Sequence, residues 1–133
     1  MRSARTGGRE FQRAMNPLTL ERLSANGSDL SRPHCLFNVF HIYQRPQVES
    51  LRRDLEAVGF LIHDSGTLLE YQGTHYWKAE GCIEIVPTLA AVNSMTDQCV
   101  EVAGRHDADY DGWYTEVVTS ESEPEYGPRT HPG

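Results

Sequence analysis

The chain has 133 residues and a mass of 15.0 kDa, which suffices for one hydrophobic core and therefore for one domain. Its 12 Lys and Arg against 19 Asp and Glu give a net charge of −7, which disfavours direct binding to nucleic acid phosphates. Apolar runs are far shorter than the roughly twenty residues that cross a bilayer. The sequence therefore predicts a cytoplasmic protein that contacts neither nucleic acid nor membrane.

The charge is unevenly distributed along the chain. Residues 1–33 carry six Arg and three acids, residues 34–119 carry five bases and thirteen acids, and residues 120–133 add −2. Residues 1–14 are rich in Arg and poor in large apolar side chains, and the end of the chain is rich in Glu and Pro, so both are predicted to be disordered. This leaves one domain over residues 15–119, and it leaves open whether translation starts at Met1 or Met15.

Two helices and a buried strand are predicted in the first half of this domain. Residues 17–25 form a short helix with Pro17 in its first turn, stopped by Asn26 and Gly27. Residues 34–43 are aromatic and β-branched with few charges, which predicts a central strand. A second helix begins at Pro46 and ends near Gly59, and its inward stripe is Val48, Leu51, Leu55 and Val58.

The second half continues with strands, one helix and a last strand. Residues 60–63 are extended and stop at Asp64, Ser65 and Gly66, and residues 67–75 form a weaker strand. Residues 77–85 alternate between apolar side chains and the set Lys78, Glu80, Cys82 and Glu84, which predicts a strand with an acidic exposed side. Thr88 caps a helix that fades near Gly104, and the last strand is residues 113–118.

The order of elements is a short helix followed by βαββαβ. Two βαβ halves with right-handed crossovers fold most simply into one four-stranded antiparallel sheet with two helices on one face. The predicted fold is thus an α+β, ferredoxin-like sandwich in which the other face of the sheet stays uncovered.

The cysteines and histidines do not predict a metal or redox site. Cys35, Cys82 and Cys99 are odd in number and lack a CxxC motif, so they are predicted to be reduced thiols. The five histidines between residues 34 and 106 make no HxH, HxxxH or HExxH motif. Asp107, Asp109 and Asp111 resemble a calcium loop, but position twelve is Val118 where a bidentate carboxylate is needed. No metal and no cofactor are predicted.

Catalytic and nucleotide-binding motifs are likewise absent from the sequence. It contains no GxSxG, no GxxxxGK[ST] and no GxGxxG, so no catalytic residue is assigned. Ferredoxin-like sheets can also bind RNA through aromatic residues, and Tyr76 and Trp77 lie on a suitable strand. Glu80 and Glu84 on the same strand argue against that alternative, since they repel phosphates, and core burial is the simpler interpretation of Trp77.

Three segments carry a resemblance to a known family. They are Asn26-Gly27-Ser28-Asp29, Val86-Pro87-Thr88-Leu89 and Asp109-Tyr110-Asp111-Gly112-Trp113. Residues 23–118 resemble the family of regulator of ribonuclease E activity B, also called ribonuclease E inhibitor B. Within these segments Gly27, Asp29, Gly112 and Trp113 are expected to have structural roles: the glycines adopt positive φ, and Trp113 anchors the last strand.

The resemblance implies a ferredoxin-like fold and a non-catalytic regulator that binds the Arg-rich scaffold region of ribonuclease E. The acidic residues expected to form the protein-binding surface are Glu80, Glu84, Asp107, Asp109 and Asp111. Electrostatic steering of a basic segment would speed association and weaken with salt. Two alternatives stay open, namely a module that binds another basic protein and a small metal-dependent hydrolase.

Overall fold

The computed structural model describes residues 8–119, which form three helices and one four-stranded antiparallel sheet. The helices are α1 (Arg9–Ala25), α2 (Arg45–Ala57) and α3 (Leu89–Arg105). The strands are β1 (His34–Ile42), β2 (Leu61–Tyr71), β3 (Thr74–Ile85) and β4 (Ala108–Tyr114). Within this part of the chain no helix is both long and apolar enough to cross a bilayer.

The sheet has the strand order β2-β3-β1-β4, so β1 and β3 are central and β2 and β4 are edges. Each neighbouring pair is antiparallel, and the two crossovers are made by α2 and α3. This is the predicted ferredoxin-like α+β arrangement. The predicted central position of the first strand is confirmed, as is the helix that begins close to Pro46.

Helix α1 begins much earlier than the sequence predicts. It starts at Arg9, so residues 9–14 are helical and not disordered, and Pro17 lies inside the helix. Tertiary contacts explain this length: the Arg13 guanidinium donates two hydrogen bonds to Asp97 on α3, and buried Asn16 donates to Asn93 and Thr96. The rest of the predicted leader, residues 1–7, and the predicted tail, residues 120–133, lie outside the described residues.

Strand β2 also extends beyond its predicted end. The chain does not stop at Asp64 but stays paired with β3 as far as Tyr71, with register irregularities between Ile62 and Thr67. Asp64 accepts hydrogen bonds from the Gly66 amide and the Thr67 hydroxyl, which accommodates the irregular backbone. The hairpin then closes at Gln72 and Gly73, which both have positive φ.

The core lies between the helices and one face of the sheet. Its fully buried side chains include Leu36, Phe40 and Ile42 of β1, together with Leu51, Leu55, Val92, Cys99 and Val102 of the helices. The polar residue Asn38 of β1 is also buried there, and its amide donates to Leu36 O while its oxygen accepts from the Tyr110 hydroxyl. The polar group therefore keeps its hydrogen bonds inside an otherwise apolar core.

Cys35 and Cys82 form a disulfide, and the prediction of three reduced thiols is wrong for this pair. The two residues are diagonal neighbours on β1 and β3, since Cys35 pairs with Glu84 and Cys82 pairs with Phe37, and their Cα atoms are 6.1 Å apart. Residues 47 positions apart become neighbours only through strand pairing, which spacing alone does not reveal. Cys99 is a buried free thiol in α3.

Candidate functional site

The face of the sheet that the helices leave uncovered carries most of the predicted site residues; we call it the open face. Residues that pair directly across antiparallel strands share a face. The open face therefore carries Phe37, Val39 and His41 of β1 with their β3 partners Cys82, Glu80 and Lys78. It also carries Tyr114 and Asp109 of β4, and Leu61 and Asp64 of β2.

An aromatic cluster occupies the middle of the open face. Phe37 stacks on Tyr114 with ring centroids 5.0 Å apart, and the His63 ring lies 4.8 Å from Phe37 on the other side. Leu61, at the β2 edge of this cluster, is 73% exposed. No sequence motif marks these residues as a site, although the alternation in residues 34–43 would place Phe37 and His41 on one side of the strand.

Glu80 lies within this cluster and is only 5% exposed, so the expectation that it stands on the wet surface is wrong. Its carboxylate accepts a 2.7 Å hydrogen bond from the Tyr114 hydroxyl and lies 3.3 Å from the Lys78 ammonium. Burial and the adjacent Glu80 carboxylate both disfavour the phenolate and raise the pKa of Tyr114 to about 12. Glu80 therefore connects Tyr114 of β4 with Lys78 of β3 on the open face.

Lys78 partly neutralises the acids of the open face. Its ammonium lies 3.8 Å from Asp64 in addition to its contact with Glu80. On the helices, Arg9 and Arg13 pair with Asp97, and Arg105 pairs with Asp54. Much of the positive charge of residues 8–119 is thus already paired.

Asp109 and Asp111 come together at one end of the open face. Asp109 pairs with His41 in the sheet and accepts a 2.9 Å hydrogen bond from the Tyr43 hydroxyl. The register shift between Val39 and Phe40 makes Asp111 an additional residue in β4, and its carboxylate lies 3.9 Å from His41 Nε2. These two carboxylates flank the His41 ring.

The exposed acids Glu84 and Asp107 of the predicted set are not part of the pair formed by Asp109 and Asp111. Glu84 is exposed and pairs with Cys35, six residues along β1 from the position that pairs with Asp109, a separation of about 20 Å. Asp107 is exposed in the turn before β4 and has a φ of 53°. The five acids therefore do not form one patch, and the structure brings together only Asp109 and Asp111.

The family-like segment around Gly27 is hydrogen-bonded to the end of the described chain, near Val118. Gly27 has a φ of 99°, as its expected structural role requires, and Ser28 Oγ accepts from the Val118 amide while bonding to His34 Nε2 at 2.6 Å. His34 Nδ1 donates to the Arg32 carbonyl oxygen, and in the neutral ring Nε2 then accepts from the Ser28 hydroxyl. Asp29 accepts from the Ser31 amide and hydroxyl, which lowers the pKa of its carboxyl.

The other two family-like segments also have visible structural roles. Gly112 has a φ of 104° at the irregular part of β4. Trp113 is partly buried against the core, and its indole NH donates to Asn16 Oδ1 of α1, so it ties the last strand to the first helix. Thr88 caps α3 by accepting from the Ala91 amide, as predicted.

Within residues 8–119, no group of three or more His, Cys, Asp or Glu side chains is arranged so that it could hold a metal ion. His106, one of the five histidines, instead bridges two helices: its Nε2 lies 2.7 Å from Asp54 and its Nδ1 lies 2.9 Å from Gln47. The Asp107–Asp111 segment forms a turn and an edge strand where a calcium loop would need a following helix.

Comparison with known proteins gives a consistent result. A protein of Alteromonas mediterranea called "Regulator of ribonuclease activity B" is 26% identical over 123 residues, which covers 92% of each chain. A protein of Pseudoalteromonas atlantica with the same name is 25% identical over 105 residues, 79% of this chain and 90% of the relative. The family described as "Regulator of ribonuclease activity B" matches residues 13–115, from the second turn of α1 to the end of the sheet. This chain therefore belongs to the family Regulator of ribonuclease activity B.

Proposed function

We propose that this protein regulates a ribonuclease by binding to it and catalyses no reaction itself. The observation that carries the proposal is the family match over residues 13–115, which includes all the secondary structure except the first turn of α1. The same match favours ribonuclease regulation over a metal-dependent hydrolase. The proposal also places the protein in the cytoplasm, together with the RNA turnover that it would regulate.

We further propose that the partner is ribonuclease E and that binding uses a basic segment of its scaffold region. Charge supports this: residues 34–119 carry thirteen acids and five bases, and most of the bases in that stretch already lie beside carboxylates. A domain with such an excess of negative charge attracts cationic segments over a distance of about 10 Å at 0.1 M salt. The association should therefore weaken as salt is raised.

The proposed contact residues are the four acids of the predicted set that are exposed or half-buried. Asp109 and Asp111 form the centre of the contact because they are neighbours, and Glu84 and Asp107 extend it along the sheet and into the turn before β4. Glu80 acts indirectly, since its hydrogen bond with Tyr114 holds the aromatic cluster in place. A partner segment bound here would lie along β1 and β4.

Capture of purified ribonuclease E from the same host tests the proposal. The wild-type chain should retain the enzyme at low salt and lose it progressively at high salt. The variant Asp109→Asn/Asp111→Asn should weaken capture about tenfold, since each removed charge pair contributes roughly 0.5–1 kcal/mol. Glu56→Gln/Glu101→Gln is the matched control, because it removes the same charge from exposed helix positions and should capture normally. Failure of the wild-type chain to capture the enzyme at low salt would refute the proposal.

A further inference from the structure

A cavity of about 390 Å³ opens where the open face meets the β2–β3 hairpin. Its lining residues are His41, Tyr43, Tyr71, Gln72, Thr74 and Tyr76. This volume is many times the roughly 30 Å³ that one water molecule occupies, so the cavity can hold a side chain. Four of the six lining residues have aromatic rings.

The aromatic rings that line the cavity also contact one another. The centroids of Tyr76 and His41 are 4.8 Å apart with a 54° tilt, and those of Tyr76 and Tyr43 are 6.2 Å apart with a 42° tilt. Tyr71, on the edge strand, is 65% exposed, so its side chain does not belong to the core. The hairpin turn at Gln72 and Gly73 brings Tyr71 and Thr74 to the same side of the cavity. The cavity is therefore open to solvent and lined largely by aromatic side chains.

Negative charge adjoins two of these rings. Asp109 accepts a hydrogen bond from the hydroxyl of Tyr43, and the Asp111 carboxylate lies 3.9 Å from His41 Nε2. The nearest strand cation, Lys78, lies beside Asp64 and Glu80. Aromatic faces attract cations through their quadrupole, and carboxylates at the rim strengthen that attraction. The cavity thus has the chemistry of a site for one positively charged side chain.

We propose that this cavity binds an arginine side chain presented by a basic segment of the protein partner. Arginine fits better than lysine because its planar guanidinium can stack on a tyrosine face and direct its NH groups to a carboxylate at the same time. The inference rests on the proposed function in that it takes the partner segment to be basic. It adds a specific pocket, and a preference for one cationic residue, to a surface otherwise described by charge alone.

Three labelled octapeptides measure that preference: alternating Arg and Gly, alternating Lys and Gly, and alternating citrulline and Gly. The Arg peptide should bind about fivefold more tightly than the Lys peptide, which corresponds to the roughly 1 kcal/mol of a favourable cation–π contact. The citrulline peptide, which is planar but uncharged, should bind at least about tenfold more weakly than the Arg peptide. Equal binding of the Arg and Lys peptides would overturn the inference.

Substitutions in the cavity locate the binding. Tyr71→Leu and Tyr76→Leu should each weaken the Arg peptide about fivefold or more, whereas Tyr76→Phe should bind within about twofold of wild type, since it keeps the ring face. Phe11→Ala is the control, because Phe11 is an exposed aromatic residue on α1, away from the sheet's open face. Tyr71 is so exposed that Tyr71→Leu keeps the test decisive even if Tyr76→Leu unfolds. Unchanged binding by Tyr71→Leu would contradict the inference.

Capture of ribonuclease E by the same variants separates this inference from the proposed function. If wild type captures the enzyme and Tyr71→Leu/Tyr76→Leu, shown to be folded by circular dichroism, captures it equally well, the cavity is not the binding site and the proposed function stands. If wild type binds the Arg peptide through the cavity but captures no ribonuclease E, the proposed function fails and the arginine site stands.

Discussion

The two faces of the sheet are built from different chemistry. The covered face places Leu36, Phe40 and Ile42 of β1 against α2 and α3, and all three are fully buried. The open face places Phe37 and His41 of the same strand among tyrosines and carboxylates. One strand thus contributes aliphatic packing on one side and aromatic, charged side chains on the other, as its period-2 alternation requires.

The two faces therefore differ in how they exclude water. The covered face excludes water from apolar surface, which is the main favourable term in folding. The open face keeps a buried carboxylate, Glu80, and satisfies it with the Tyr114 hydroxyl and Lys78. The open face therefore carries paired polar and charged groups, whereas the covered face is mainly apolar.

The largest expected effect is on the covered face. Phe40→Ala should lower the free energy of unfolding by about 3–5 kcal/mol, because it empties a fully buried site and removes the ring contact with Tyr110. Leu61→Ala, at the exposed edge of the open face, should change it by less than about 0.5 kcal/mol. Urea unfolding measures both. Similar losses of unfolding free energy for the two variants would show that the two faces do not differ in their contribution to stability.

Reduction of the disulfide should produce the next largest effect. Breaking Cys35–Cys82 should lower the free energy of unfolding by about 2–4 kcal/mol, since the crosslink closes a long loop in the unfolded chain. Cys35→Ser/Cys82→Ser should be insensitive to reductant. Thiol titration of the denatured protein should give one thiol before reduction and three after it. Three thiols in the untreated protein would contradict the pairing.

Removing the buried charge of the open face should have an intermediate effect. Glu80→Ala should lower the free energy of unfolding by about 1–3 kcal/mol, since it leaves the Tyr114 hydroxyl and Lys78 without this acceptor. Glu84→Ala, on the same strand but exposed, should stay within about 0.5 kcal/mol of wild type in the same chemical denaturation assay. A neutral Glu80→Ala would mean that the open face does not depend on its buried carboxylate.

The smallest effect should be the loss, at low pH, of the stability that the ion pair between α1 and α3 contributes. Hydrogen bonds from Arg13 hold the pKa of Asp97 below its usual value. A lowered folded-state pKa gives stability that is present above the unfolded value of about 3.9 and is lost as pH falls through the folded value. The stability difference between wild type and Asp97→Asn, followed by urea unfolding from about pH 7 to pH 2, should therefore shrink only below about pH 4. A difference that stays constant down to pH 2 would rule out this ion pair as its source.

Local sequence was sufficient for β1, for α2 and for the beginning of α3. Each has a strong signal within its own residues, such as the aromatic run of β1 or the Thr88 cap, and no distant contact is needed to interpret it. The beginning of α1 could not be predicted in the same way. Residues 9–14 are mostly polar, and their helical structure is accompanied by contacts of Arg9 and Arg13 with Asp97 of α3. In the next turn, Asn16 donates hydrogen bonds to Asn93 and Thr96 of the same helix.

Periodicity, charge and residue type, which are local properties, were enough to predict the order of elements, the acidic domain and the left-handed glycines. The family was suggested by the resemblance of three short segments. The folded chain was needed to show that Cys35 bonds to Cys82, that Glu80 is buried, and that three tyrosines and His41 line one cavity. Each of these depends on which residues pair across neighbouring strands, and strand register is set by packing between segments far apart in the chain.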